Sequence, residues 1–186
     1  MPPTWPPALV ALTIWTALVL YTAGEYGRTR RPAAAWARPV WLLGAAAYLG
    51  HVAAAFATYH GWSHADAYAY TAARTEALLG LPWGGGLWVN YAFTILWVGE
   101  ALWWHLSPAT YARRARAWRP AVRGAFLFMI VNGAIVFVDG SGRWLGVAIV
   151  AALLAIWRVD SPWVKPRVAP HPEGSGRSPR RPPDKA

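Results

Sequence analysis

The stretch YHGWSH, residues 59 to 64, sets His60 and His64 four residues apart where a long apolar run gives way to polar chain. On an unbroken helix, side chains at i and i+4 share a face, so the pair has the spacing with which two imidazoles hold one metal ion. Asp66 and Glu76 follow, completing a set of N and O donors of the kind that Zn, Cu or Fe accept. Gly61 and Ser63 argue for another geometry. Glycine ends helices, and Ser63 with Asp66 three residues on resembles a capping box with Asp in place of Glu or Gln. His60 then ends one helix, His64 opens the next, and a metal site survives only as a corner where the two meet. Two other readings stand beside it: interfacial histidines that bond to backbone or water, with Tyr59 and Trp62 as membrane anchors, and a proton-transfer site.

A second group of polar residues lies inside apolar runs, where ionisable side chains are costly and point to function by default. At 1.5 Å per residue, His51 and Asn132 both fall about 16 Å from the Arg-rich boundary and are expected to pair near the midplane. On the same scale Glu100 lies about 10 Å and Glu25 about 5 Å in, with His105 at the edge. An inner cluster of Glu25, Glu100 and His105, with Arg28 or Arg38 as counter-charge, follows. Joined to His51, Asn132, His60 and His64, it would make a ladder for protons or a quinol. The plainer reading is interhelical glue, each polar side chain finding one partner.

Haem is not expected. Two axial ligands must face each other at one depth, and no second histidine matches His51; Met129, at about 12 Å, or a partner chain would have to serve. Without cysteine there is no disulfide, thiolate metal site, iron–sulfur cluster or thiol chemistry. No nucleophile elbow, phosphate loop or dinucleotide fingerprint is present, so the sequence gives no support for nucleophilic catalysis.

The elements that must position these residues are membrane spans. Among 186 residues, 56% are hydrophobic, 14 are Trp and only 14% are charged, too apolar for a soluble domain of this length. Five stretches, 8–24, 40–60, 87–106, 121–138 and 144–158, approach the length that crosses a ~30 Å hydrocarbon core. VDGSGR, residues 138 to 143, supplies the turn between the last two.

Charge supports this frame independently. The net charge of +10 is not a nucleic-acid footprint, because the basic residues are divided among the connections. Four lie in 25–39, five in 107–123 and seven from Arg158 onward, so 4 + 5 + 7 = 16 of 18 fall on alternate connections, leaving Arg74 and Arg143. The positive-inside rule makes that side the cytoplasm. Trp5, Trp62, Trp83, Trp88 and Trp144 mark the outer boundary, Trp36, Trp41, Trp103, Trp104, Trp118, Trp157 and Trp163 the inner one, and only Trp15 and Trp97 sit deep.

The fold class expected is thus an all-α polytopic membrane bundle of five spans in the inner (plasma) membrane, N-terminus outside. Residues 63–80, ending at Gly80 before Pro82, form a short outer interfacial helix. Residues 161–186, rich in Pro, Gly, Ser and Arg, form a disordered basic cytoplasmic tail. The leading functional expectation is a non-enzymatic accessory or assembly subunit, partnered by lipid and by other membrane subunits or itself, with the His60/His64/Asp66/Glu76 corner as a metal candidate. The rival is a proton- or quinol-handling redox protein using His51, Glu100 and Asn132. A third reading is lipid or small-molecule binding against the aromatic wall of Tyr59, Trp62, Trp83, Trp88 and Tyr91.

Overall fold

The computed structural model describes residues 6–30, 33–138 and 140–159; the expected disordered tail, 161–186, lies outside them. The described residues are all-helical, without a strand. Helices occupy each of the five apolar stretches: α1 (Pro7–Thr29), α2 (Ala37–Ala55), α4 (Gly86–Leu106), α6 (Trp118–Val131) and α7 (Gly142–Val159). Between them lie α3 (His64–Leu79) and the single-turn α5 (Pro108–Ala112). Three segments are long and apolar enough to cross a membrane: Pro7–Thr29, Ala37–His60 and Trp118–Val136. α4 is long enough, but its Trp, Asn, Glu and His residues lower its mean hydropathy.

Local chemistry sets the helix ends. Pro7 opens α1 and Pro108 opens α5, at the one position where a missing N–H costs nothing. The Ser63 hydroxyl accepts from the Asp66 N–H at 3.2 Å and caps α3. α3 stops at Gly80, whose φ of 71° is left-handed and whose N–H returns to the Glu76 carbonyl at 2.8 Å. Within the long helices, Thr13, Thr22 and Thr94 turn their hydroxyls onto carbonyls of their own helices, so these three donors are paired in apolar surroundings.

Both α2 and α6 finish in a π-helical turn, Phe56–His60 and Asn132–Val136 respectively. π-Turns are rare, and they gather at functional sites. These two lie at the same end of the bundle, the Arg-poor one.

The long helices pack in a closed ring in the order α1, α2, α4, α6, α7 and back to α1, with α3 lying across α4 and the first π-turn. Small residues set the closest approach, as expected where van der Waals contact holds spans together. A Cβ on Gly24 would come within 2.7 Å of Trp41, and one on Gly27 within 2.7 Å of Ala37, so α1 and α2 meet backbone to ring. Gly146 of α7 fits in the same way against the Ala134 carbonyl of the second π-turn.

The interior of the ring is aromatic. Tyr21 stacks on Phe126 with centroids 4.0 Å apart and meets Trp97 edge-on at 5.6 Å; Trp41, Trp97 and Phe126 complete a fully buried tier. The outer surface is apolar too, with Leu12, Leu43, Ile95 and Phe128 more than half exposed. A bundle apolar on both faces suits lipid rather than water as its solvent.

Candidate functional site

Two constellations lie at opposite ends of the aromatic tier. At the Arg-rich end, the Glu25 carboxylate is fully buried. Its Oε1 pairs with Arg28 one turn on, while Oε2 faces the Arg123 guanidinium at 3.4 Å and accepts from the Trp157 indole N–H at 2.9 Å. One carboxylate therefore joins α1, α6 and α7. Arg28 then donates to the Tyr111 hydroxyl at 2.9 Å, and Tyr111 donates to Glu100 at 2.8 Å. The other Glu100 oxygen accepts from the Trp118 N–H at 2.6 Å, which brings α4 and the start of α6 into the same network. The Arg28 guanidinium also lies over the rings of Trp41 and Trp104, at 5.9 and 5.8 Å, and Arg114 lies 3.7 Å over Tyr111.

Sequence depth placed Glu25 and Glu100 together with Arg28, and the network contains all three. His105 is exposed instead. Tyr111, Trp118 and Trp157 are the members that depth and charge did not disclose: two indoles expected only as belt anchors are hydrogen-bond donors to buried carboxylates.

At the Arg-poor end, a chamber of about 590 Å³ opens between the N-terminal half of α1, the C-terminal half of α2, the start of α4 and the end of α6. Its volume lies within the ~300–1,000 Å³ typical of small-molecule sites. Both π-turns contribute to its wall, through Phe56, Tyr59 and His60 on one side and Gly133 and Ala134 on the other. α3 covers it with Tyr70 and Thr71. Arg74 of α3 donates to the Phe137 carbonyl at 3.1 Å beyond the second π-turn, and His64 is 3.0 Å from the Tyr91 hydroxyl of α4. Among the described residues, no Asp, Glu, Lys or Arg lines the chamber. Its polar groups include Tyr48, His51, Asn90 and Thr94 in the body, His60, Tyr59, Tyr70, Tyr91 and Thr71 toward the rim, and the indoles of Trp15 and Trp97.

The four residues of the expected metal corner are dispersed. Gly61 (φ 51°) and Trp62 (φ 63°) form a left-handed turn between His60 and His64, so the i, i+4 relation is never made on one helix. His60 packs edge-on against Tyr70 and Phe56, at 5.2 and 5.6 Å, while His64 turns to Tyr91 and lies 5.1 Å from Trp88. Asp66 and Glu76 are both exposed, about 15 Å apart along α3. Among the described residues no three His, Asp or Glu side chains gather to hold a metal ion.

His51 and Asn132 do not pair either. The His51 Nδ1–H donates to the Val10 carbonyl of α1 at 3.0 Å, and the Asn132 amide bonds back to Phe128 of its own helix at 2.8 Å. His51 faces the chamber; Glu100 belongs to the network at the other end. The proposed ladder is thus interrupted by the aromatic tier.

Two outcomes follow from the network. Glu25→Gln leaves two guanidiniums facing a neutral amide and should cost about 3–5 kcal/mol, the usual consequence of breaking a buried ion pair. Trp157→Phe, which removes one donor, should cost about 0.5–1.5 kcal/mol. Unfolding of both variants in mixed detergent, titrated with SDS, measures the difference; equal losses would remove Glu25 from its central place.

Burial pushes the Tyr111 phenol up to about 12, with Arg28 and Arg114 opposing the rise and Glu100 adding to it. The unfolded chain titrates near 10, so the folded state holds this proton more tightly. Its contribution is complete below about pH 10 and lost as pH approaches 12. Thermal unfolding across that window should show this component in the wild type and lack it in Tyr111→Phe. The chain matches no family model, no curated protein and no solved structure.

Proposed function

We propose that this protein is a non-enzymatic component of the inner (plasma) membrane, whose five helices all span, with the N-terminus outside and the C-terminal tail in the cytoplasm. Its role is to hold an apolar small molecule in the outer half of the bundle, as an accessory subunit beside other membrane proteins or a second copy of itself. The observation that carries this reading is the chamber: large, uncharged, aromatic-walled, and flanked by both π-turns of the chain. The titratable groups support binding over catalysis. Glu25 is held between two arginines, Glu100 between two donors, and His51 by a carbonyl, which are structural duties.

The rival, a proton- or quinol-handling path from His51 to Glu100, draws on the same chamber as an entry. It would have to cross Trp97, Tyr21 and Phe126, whose rings fill the space between the two ends. Binding needs no such crossing.

Chain orientation is checked by impermeant maleimide on whole cells. The chain has no cysteine, so Ala65→Cys and Ala115→Cys, both at exposed positions, report singly. Ala65→Cys should label from outside, and Ala115→Cys only after permeabilisation; the reverse pattern inverts the topology.

The chamber is checked with Val52→Trp, which fills it from α2. Extracts of the purified wild type should contain a stoichiometric apolar molecule by mass spectrometry, absent from the variant although it folds. Identical extracts from the two proteins would sink the binding reading.

A further inference from the structure

Resting on that binding reading, the chamber's polar atoms specify the head of the guest. We infer that the chamber receives a neutral, hydroxyl-headed hydrophobe, whose O–H donates to His51 Nε2 while its oxygen accepts from the Tyr48 hydroxyl.

Tyr48 and His51 stand three residues apart on α2, hence on one helical face, with ring centroids 6.2 Å apart, and both line the chamber. Their hydrogen-bonding roles follow from their other partners. A carbonyl only accepts, so the His51 nitrogen facing Val10 carries the proton. The neutral imidazole then offers Nε2 as an acceptor. The single Thr94 proton goes to the Asn90 carbonyl at 2.8 Å, so in the Tyr48–Thr94 contact Tyr48 is the donor. That contact spans 3.3 Å, long against the ~2.7–2.8 Å usual between hydroxyls. The phenol is held, by stacking on Trp97 at 4.8 Å, beside an acceptor it reaches poorly. A guest oxygen at ordinary distance replaces that bond with a better one.

One donor next to one acceptor suits a group that is both, and a hydroxyl is the smallest such group. Among the described residues of the chamber wall, a carboxylate or phosphate would meet no cation and an amine no anion. Burying an unpaired charge there would be prohibitive. A plain hydrocarbon would fill the volume and leave the pair unused. Two sources share the required chemistry: a long-chain or polycyclic membrane alcohol, and a hydroquinone.

The test is calorimetric titration of the full chain in lipid nanodiscs with dodecanol, decylhydroquinone, dodecanoate and dodecane. Saturable binding is expected for dodecanol, decylhydroquinone or both, and their ranking identifies the source. Dodecanoate and dodecane should bind at least tenfold more weakly. Tyr48→Phe keeps the ring stack and removes only the hydroxyl; it should weaken binding roughly five- to tenfold, the effect of one hydrogen bond. Thr94→Val, which takes away the competing acceptor, should leave binding intact or tighten it, whereas a merely structural Tyr48–Thr94 bond predicts loss in both variants. His51→Gln serves beside these because Gln can keep either the tie to Val10 or an acceptor for the guest, and it should weaken binding with the fold retained.

Equal binding of all four probes, abolished by Val52→Trp, would overturn the hydroxyl assignment and leave the chamber reading standing. Hydroxyl-dependent binding that Val52→Trp does not affect would place the guest elsewhere and overturn both.

Discussion

A carboxylate with no solvent exposure, set inside an apolar ring of helices, is the constraint from which the rest of the structure follows. Glu25 is tolerable only because Arg28, Arg123 and the Trp157 indole surround it, and each brings a different part of the chain. Isolated charge in such a place would cost several kcal/mol even after relaxation. The helices carrying the partners therefore have no freedom to slide or rotate. Arg28 passes the constraint through Tyr111 to Glu100, so α4 is fixed by the same knot. Four of the five ring helices are joined at one end by ionic and hydrogen-bonded contacts. The fifth, α2, is held there by steric fit, because Gly24 and Gly27 admit it to the surface of α1, and by the Arg28 guanidinium over Trp41.

The aromatic tier converts that end into a platform. Tyr21, Phe126, Trp97 and Trp41 contact one another in stacked and edge-on pairs, which add to the stability that burial of such large rings already gives. Tyr21 precedes Glu25 by one turn of α1, and Trp97 precedes Glu100 by nearly one turn of α4. The tier is thus built on the same two helix faces as the ionic knot, one level further from the Arg-rich boundary. Beyond it the packing changes character. α2 and α6 both widen into π-turns, each holding one more residue per hydrogen-bonded loop than an α-turn, and the space between them is the chamber. α7 stays close only because Gly146 has no side chain to strike Ala134.

How much of this was legible in the sequence depended on whether the signal was local. The apolar runs were legible and coincide with helices, because both are properties of consecutive residues. The Gly61 break and the Ser63 cap were legible for the same reason, and they dissolve the i, i+4 metal geometry that His60 and His64 would otherwise have. Depth counting gathered Glu25, Glu100 and Arg28 but failed for His51 and Asn132. Depth fixes one coordinate of a residue and says nothing of the direction it takes around its helix axis: Asn132 bonds along its own helix while His51 crosses to α1. Tyr111 was invisible for a different reason. It sits on a single turn in a polar connection, and only tertiary contact turns it inward between Arg28 and Glu100. Trp118 and Trp157 were assigned to the Arg-rich boundary, yet an indole there is equally a belt anchor and a donor to a buried carboxylate.

Rigidity at one end and room at the other are two aspects of one arrangement. The turn at the chamber rim holds Trp62 at a φ of 63°, a left-handed conformation that a bulky side chain adopts only under strain. Such a turn persists where surrounding structure over-determines it, and His60, Tyr70, Phe56 and Tyr91 do so with a continuous run of ring contacts. His60, Tyr70, Phe56 and Tyr91 also form part of the chamber wall. A charged residue on that wall would have to carry its counter-ion with it. The separation of buried carboxylates to one end and neutral aromatic groups to the other is therefore what lets a small helical bundle be held in register and still keep an interior space.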